Sequence, residues 1–113
     1  MARRLKRGDI YFHRFGAPDK RRPVVILSRQ EAIDVLNEVM VAPITTTVRG
    51  LMSEVVLDVE QGMKNRCAVN LDHVQTVRKS DIKRHITTLT PAFMADICRA
   101  LSVATGCEPG LID

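Results

Sequence analysis

The chain reads as a mainly β protein of the α+β class, a compact antiparallel sheet or small barrel followed by one C-terminal α-helix. Three observations predict this. Short runs of β-branched and aromatic residues recur at close spacing between turn residues. One long stretch near the C-terminus carries helical periodicity instead. The length, 113 residues, with 45% hydrophobic and 27% charged residues, suits one folded domain spanning 1–113. A chain of that size buries a core without disulfide or metal staples.

Residues 9–15 are aromatic and β-branched and run into Gly16-Ala17-Pro18-Asp19, which is turn chemistry. Residues 23–27 hold the apolar run Val24-Val25-Ile26-Leu27, the pattern of a strand buried on both faces. Ser28 followed three positions later by Glu31 is a capping box, predicting a short helix over 29–36 with Ile33 and Leu36 on its buried side. Strand composition returns over 38–45. Residues 53–59 alternate, with Val55, Leu57 and Val59 on one face and Glu54, Val56 and Asp58 on the other. Further strands are predicted over 68–70, 73–77 and 86–89.

The final element has a different period. Thr90 is a suitable N-cap, Pro91 fits the first helical position and Gly106 fits the C-terminal stop. Between them Phe93, Met94, Ile97, Leu101 and Ala104 form an apolar stripe, and Leu89 before the cap is placed to staple onto Met94.

Composition narrows the function. No apolar stretch nears the roughly 20 residues that span a bilayer, and no apolar segment follows the basic start as a secretory signal requires. Cys67, Cys98 and Cys107 contain no CxxC pair and are odd in number, which argues against a disulfide framework and for a reduced, cytoplasmic location. The net charge is +4, from 17 Lys and Arg against 13 Asp and Glu, and it is clustered. Arg3, Arg4, Lys6 and Arg7 crowd the start, Lys20-Arg21-Arg22 form a triplet, and Arg78, Lys79, Lys83 and Arg84 form a third group. Such clusters attract nucleic acid or an acidic protein partner, or simply form solvated surface.

Phosphate-loop, HExxH and GxSxG patterns are absent, and His13, His73 and His85 do not show zinc-ligand spacing with the cysteines. Neither cofactor nor metal is expected. Three polar clusters remain, each abutting a strand. In Lys20-Arg21-Arg22-Pro23 the proline biases Arg22 toward an extended backbone, so its side chain projects from the entrance of a buried strand. A guanidinium there can fork two hydrogen bonds onto a phosphate, and the alternative is an exposed basic loop. Thr45-Thr46-Thr47, followed by Arg49-Gly50, offers hydroxyl donors for a phosphate oxygen or a sugar hydroxyl, though threonines also simply favour strands. Asn70-Leu71-Asp72-His73-Val74-Gln75 gathers amide, carboxylate and imidazole groups of the kind that read unpaired base edges. Asp72 equally suits a turn bonding its own backbone, and His73 suits either a general base or a surface position without a role.

Taken in order, Arg7-Gly8-Asp9-Ile10-Tyr11, Lys20-Arg21-Arg22-Pro23-Val24-Val25-Ile26, Val41-Ala42-Pro43-Ile44-Thr45 and Asn70-Leu71-Asp72-His73-Val74-Gln75-Thr76-Val77 resemble the motifs of the MazF/PemK-type toxins of bacterial toxin–antitoxin pairs. The likeness covers about residues 7–105. It implies an SH3-like β-barrel with a C-terminal helix, acting as a homodimer. The implied activity is metal-independent endoribonuclease cleavage of single-stranded RNA at short sequences, which blocks translation. Attack by the 2′-hydroxyl would leave a cyclic phosphate and a free 5′-hydroxyl. The family's catalytic residues carry over onto Arg22 and Thr45, and its late carboxylate onto Asp72, with His73 as a further proton-transfer candidate. Arg21, Thr46, Thr47, Arg49, Asn70 and Gln75 are then candidate RNA contacts. The resemblance also implies a cognate antitoxin that lays an acidic, otherwise disordered tail over the RNA site. Two features depart from the family: the segment between Phe15 and Arg22 is short, and Gln75 and Asn70 stand where arginines occur in members of the family. Two other readings stay open. A CcdB-type toxin on the same barrel would bind DNA gyrase through the end of its C-terminal helix, and a basic RNA-binding module would lack catalysis.

Overall fold

The sheet is organised around one long strand. In the computed structural model, which describes residues 4–15 and 21–107, the order is β1 (Asp9–Arg14), β2 (Arg21–Ile26), α1 (Gln30–Val35), β3 (Glu38–Thr45), β4 (Glu54–Leu57), β5 (Cys67–Asn70), β6 (Gln75–Arg78), β7 (Ile82–Thr88) and α2 (Pro91–Thr105). Short 3-10 helices at Val59–Gln61, Leu71–His73 and Lys79–Asp81 join the later strands. The predicted turn at residues 16–19, Lys20 and Arg3 lie outside the described residues. All pairings are antiparallel, in the order β4-β5-β3-β2-β1-β7. β3 holds β2 along one edge through Val41, Ala42 and Pro43. Its other edge is divided: Glu38–Val41 pairs β6, and Ile44 and Thr45 pair β5. The sheet therefore forks and curls, while β4 and β7 at its ends do not pair with each other among the described residues. The fold class is the expected one, a mostly antiparallel sheet with a C-terminal helix.

Alternation along β1, β2 and β3 feeds two cores on opposite faces. Ile10, Val25, Ala42 and Ile44 point into the larger one, with Leu57, Val69 and the helix residues Met94, Ile97 and Ala100. Tyr11, Val24, Ile26, Val39 and Val41 point into the smaller one, closed by Ile33 of α1 and Val77 of β6. The apolar run in β2 is thus buried on both sides, as its composition predicts.

α2 is capped as the sequence predicts. Thr90 Oγ1 accepts the Phe93 N–H at 3.3 Å, and Gly106 takes the left-handed conformation (φ 73°) that ends a helix without a Cβ clash. Leu89 and Met94 are both buried in the larger core. The stripe is rotated relative to the prediction. Met94, Ile97 and Ala100 are fully buried, whereas Phe93, Leu101 and Ala104 flank them half-covered.

Four local expectations fail for physical reasons. Ser28 is not the cap of α1, because its Oγ accepts the Met40 N–H at 2.8 Å and ties the chain to β3; Arg29 occupies the cap position. Leu36 is exposed, since α1 stops at Val35 and only Ala32 and Ile33 face inward. Residues 53–59 do not alternate throughout: the strand ends at Leu57, Val59 turns outward in a 3-10 helix, and Glu54 is buried. Likewise residue 73 lies in a 3-10 helix and strand β6 begins at Gln75.

His13 is a buried polar residue of unusual kind. It is 5% exposed, its ring lies edge-on to Phe15 at 4.3 Å, and neither ring nitrogen has a hydrogen-bond partner among the described residues. Burial pushes its pKa below the ordinary imidazole value, and the charge of Asp81 opposes part of that shift. The unfolded imidazole binds a proton near pH 6.5 while the folded one resists. Stability therefore falls as pH drops below about 6.5, and levels off once the folded imidazole also protonates. His13→Phe should flatten that limb in urea midpoints measured across pH. Ile97→Ala should lower stability by about 2–5 kcal/mol in denaturant unfolding. Leu36→Ala, on an exposed side chain, should stay within about 0.5 kcal/mol.

Candidate active site

Pro23 and Pro43 define one end of the sheet. The β2–β3 ladder runs from Ile26↔Val41 to Val24↔Pro43 and stops there. The Leu27 N–H donates to the Met40 carbonyl, so alternation turns Pro23 toward β3; Pro23 has no N–H to continue the ladder, and the strands part at this point. Arg22 is two residues before Val24, and Thr45 is two residues beyond Pro43. In an antiparallel register those positions face one another across the gap. Parity also puts them on one face. Arg22 alternates with Val24 and Ile26, and Thr45 with Val41 and Val39, all four on the smaller-core side.

Arg22 is exposed, sits across from His13 on β1, and lines a cavity of about 290 Å³ with Phe15, Pro43, His73 and Gln75. Thr45 borders a smaller recess of about 110 Å³ beside it, with Thr46, Pro23 and Met63 among the lining residues. Its Oγ1 accepts the Thr47 N–H at 3.1 Å, which leaves the hydroxyl proton free to be donated outward. Arg22 and Thr45 thus lie at the same end of the β2–β3 pair, each lining its own recess. Arg21 does not join them. It points to the opposite face, where its guanidinium lies over the Phe12 ring at 5.8 Å.

The third polar cluster divides. His73 and Gln75 enter the Arg22 cavity. Asn70 and Asp72 make structural bonds instead. Asn70 Oδ1 accepts the Asp72 N–H at 3.0 Å and starts the 3-10 helix, while the Asp72 carboxylate accepts the hydroxyl of buried Ser53 at 2.6 Å. That pair fastens the Leu71–His73 turn to the entrance of β4, and so fixes where His73 and Gln75 emerge. Asp72 therefore anchors through a side chain nineteen positions away in the chain rather than through its own backbone.

Glu54 is a residue that alternation assigns to the outer face. One oxygen, Oε1, accepts three successive backbone N–H groups, from Arg49 (3.1 Å), Gly50 (3.0 Å) and Leu51 (3.4 Å). The carboxylate shapes the loop that follows Thr45-Thr46-Thr47, with Gly50 in the left-handed conformation (φ 72°) the turn requires. Arg49 is presented on that loop, exposed. A glutamate three to five residues after a glycine-containing loop was the available signal, and it is weak, because the same pattern describes an ordinary polar strand face. His13 and Phe15 also border the site, and nothing in their sequence context marks them.

Comparison with known proteins identifies the family. Residues 6–105 match the family described as PemK-like, MazF-like toxin of type II toxin-antitoxin system. A probable endoribonuclease, MazF5 of Mycobacterium tuberculosis, is 44% identical over 103 residues, covering 90% of this chain and 94% of the relative. Among solved structures, the Mycobacterium tuberculosis toxin MazF-mt6 superposes with a TM-score of 0.81 at 36% identity, over 88% of this chain and 98% of that one. An endoribonuclease in complex with its cognate antitoxin, from a mycobacterial species, gives 0.81 at 26% identity over 90% and 95% of the two chains. With a family match over residues 6–105 and a fold shared with a solved toxin, this chain belongs to the PemK-like, MazF-like toxins of type II toxin–antitoxin systems.

Proposed function

We propose that this chain is a toxin endoribonuclease that cuts single-stranded RNA at the Arg22–Thr45 edge and is neutralised by a cognate antitoxin. The observation that supports the assignment of the site most directly is the antiparallel β2–β3 register, which carried past Val24↔Pro43 makes the positions of Arg22 and Thr45 opposite one another. Family membership and endoribonuclease-named relatives support this reading over a gyrase-binding toxin or a non-catalytic RNA module. The antitoxin partner is inferred from a similar toxin solved with one. A homodimer in the cytoplasm is the assembly and location that go with this reading; among the described residues no helix is long and apolar enough to cross a membrane.

The chemistry follows from the groups at the edge. The RNA 2′-oxygen attacks the adjacent phosphorus, a P–O2′ bond forms, the P–O5′ bond breaks, and the products are a 2′,3′-cyclic phosphate and a 5′-hydroxyl. Negative charge builds on the non-bridging oxygens in the transition state, where fixed donors act most strongly. Arg22 supplies a cation with parallel N–H groups, and Thr45 supplies a neutral O–H. The nucleophile belongs to the substrate, so the protein needs only to orient the phosphate and relay protons. His73, whose imidazole lines the Arg22 cavity, is the residue assigned to that relay. Thr46, Thr47, Arg49 and Gln75 are assigned to contacts with the RNA strand, whereas Asn70 and Asp72 position the turn that carries His73.

Purified protein in EDTA should cleave single-stranded RNA to fragments with 5′-hydroxyl ends. Thr45→Ala should lower kcat by about 10²–10³, and Arg22→Ala should abolish measurable cleavage while leaving the circular dichroism spectrum unchanged. Intact RNA after prolonged incubation with wild type would overturn the assignment. Glu54→Ala should release the Arg49 loop, raising KM for RNA severalfold with a smaller change in kcat, as read from initial rates over a range of RNA concentrations.

A further inference from the structure

Two of the basic clusters in the sequence lie outside the Arg22–Thr45 edge, and the fold brings them together. Arg4 from the first and Lys79 and Lys83 from the last line one concavity of about 790 Å³. Its floor is apolar and aromatic, from Leu5, Tyr11, Ile33 and Ile82. The cations are anchored. Lys79 Nζ donates to the Ile33 carbonyl at 2.5 Å and Lys83 Nζ to the Ser80 carbonyl at 3.1 Å. Arg4 is bidentate on Asp34, Nε to Oδ1 at 3.1 Å and Nη2 to Oδ2 at 2.5 Å. Asp34 is paired chiefly with Arg4 and also feels the charge of Lys79, so a single carboxylate faces three cations and the wall stays net positive. Each ammonium spends one of its three N–H groups on the protein and keeps two for a ligand.

This concavity is close to the candidate active edge. Arg22, His13 and Ile82 are consecutive partners across β2, β1 and β7. Arg22 lines the active cavity and Ile82 lines the basic one. Two inter-strand steps separate them, about 10 Å. Both cavities rest on the smaller core, through Phe15 at one end and Tyr11 and Ile82 at the other.

We propose that this concavity is a second RNA-binding site, where Lys79 and Lys83 hold backbone phosphates of the strand away from the bond that is cut and a base rests on the apolar floor. A solvated basic surface would scatter its ammoniums. Here two that are far from Arg4 in sequence converge on a concave wall, which focuses their field. The volume falls within the roughly 300–1,000 Å³ range of small-ligand sites, and the pairing of fixed cations with an aromatic and aliphatic floor suits a nucleotide better than a carboxylate-rich peptide. The inference takes from the ribonuclease reading only that the ligand is RNA.

The test is equilibrium binding of uncleavable 2′-O-methyl RNA, as a short strand that covers only the Arg22–Thr45 edge and a longer strand that also reaches the basic concavity. Wild type should bind the longer strand more tightly. The double variant Lys79→Ala, Lys83→Ala should erase that gain, lower the salt slope of the longer strand by about 1.4, and leave the short strand unchanged. Lys83→Glu, which keeps the Lys79–Ile33 bond to α1, should lose at least half of the gain and guards against a folding artefact. Equal affinity of wild type for both strands, an unchanged length effect in the variants, or lost binding of a polyglutamate peptide with intact RNA binding would each overturn the proposal. Wild type that binds the longer strand as expected yet cuts no RNA would sink the cleavage reading and leave this site standing.

Discussion

The candidate site rests on a backbone constraint: Pro23, which stands where β2 would next donate to β3, has no N–H to give. The β2–β3 ladder closes at Val24↔Pro43, two positions short of Arg22 and Thr45. Up to that point both strands are held on both faces by packed aliphatic side chains, so the last ordered residues emerge from a stiff base. An arginine on a mobile loop would lose several rotamers on meeting a phosphate. Here the strand fixes its backbone, and only the side chain has to settle. The same parting of strands leaves Thr45 with a donor proton and no β2 partner to take it up.

Around this edge carboxylates do the positioning, two of them buried in the sheet (Asp9 and Glu54) and one, Asp72, exposed on a 3-10 turn. Glu54 gathers three N–H groups of the Arg49 loop, Asp72 takes the Ser53 hydroxyl, and Asp9, fully buried, takes the Thr88 hydroxyl at 2.6 Å and the Lys6 N–H at 3.0 Å. A buried carboxylate is tolerated when donors converge on it. Each of these joins pieces of chain that the hydrophobic cores do not fix: a loop, a 3-10 turn, and the strand at the end of the sheet. The cores set the sheet, and the acids set what protrudes from it.

Much of this was legible from composition. The range of β3 follows from its strand-forming run, α2 from its cap, proline and terminal glycine, and β2 from an apolar stretch too uniform to have a wet face. What escaped was long-range. Ser28 has the sequence of a helix cap, but a backbone N–H of β3 claims its oxygen. Glu54 has the sequence of an outward strand residue, but three loop amides turn toward it. β7 begins at Ile82, earlier than hydrophobicity suggests, because Lys83 and Arg84 sit exposed near its start and mask the strand pattern. For the candidate site, the ordered motifs single out Arg22 and Thr45, and it is the register, which no local pattern encodes, that puts both at the same end of the β2–β3 pair. The separation of Arg21 from Arg22 follows from strand alternation once β2 is known to begin at Arg21.

That alternation restricts how the protein can vary. Neighbouring residues of β2 belong to different cores, Val24 to the smaller and Val25 to the larger. Inserting or deleting a single codon between Arg22 and Val25 would swing the guanidinium to the far side of the sheet, where Phe12 now sits under Arg21. Side chains in this strand can be exchanged among aliphatics of similar volume, but the count of residues between its charged entrance and its apolar interior is fixed.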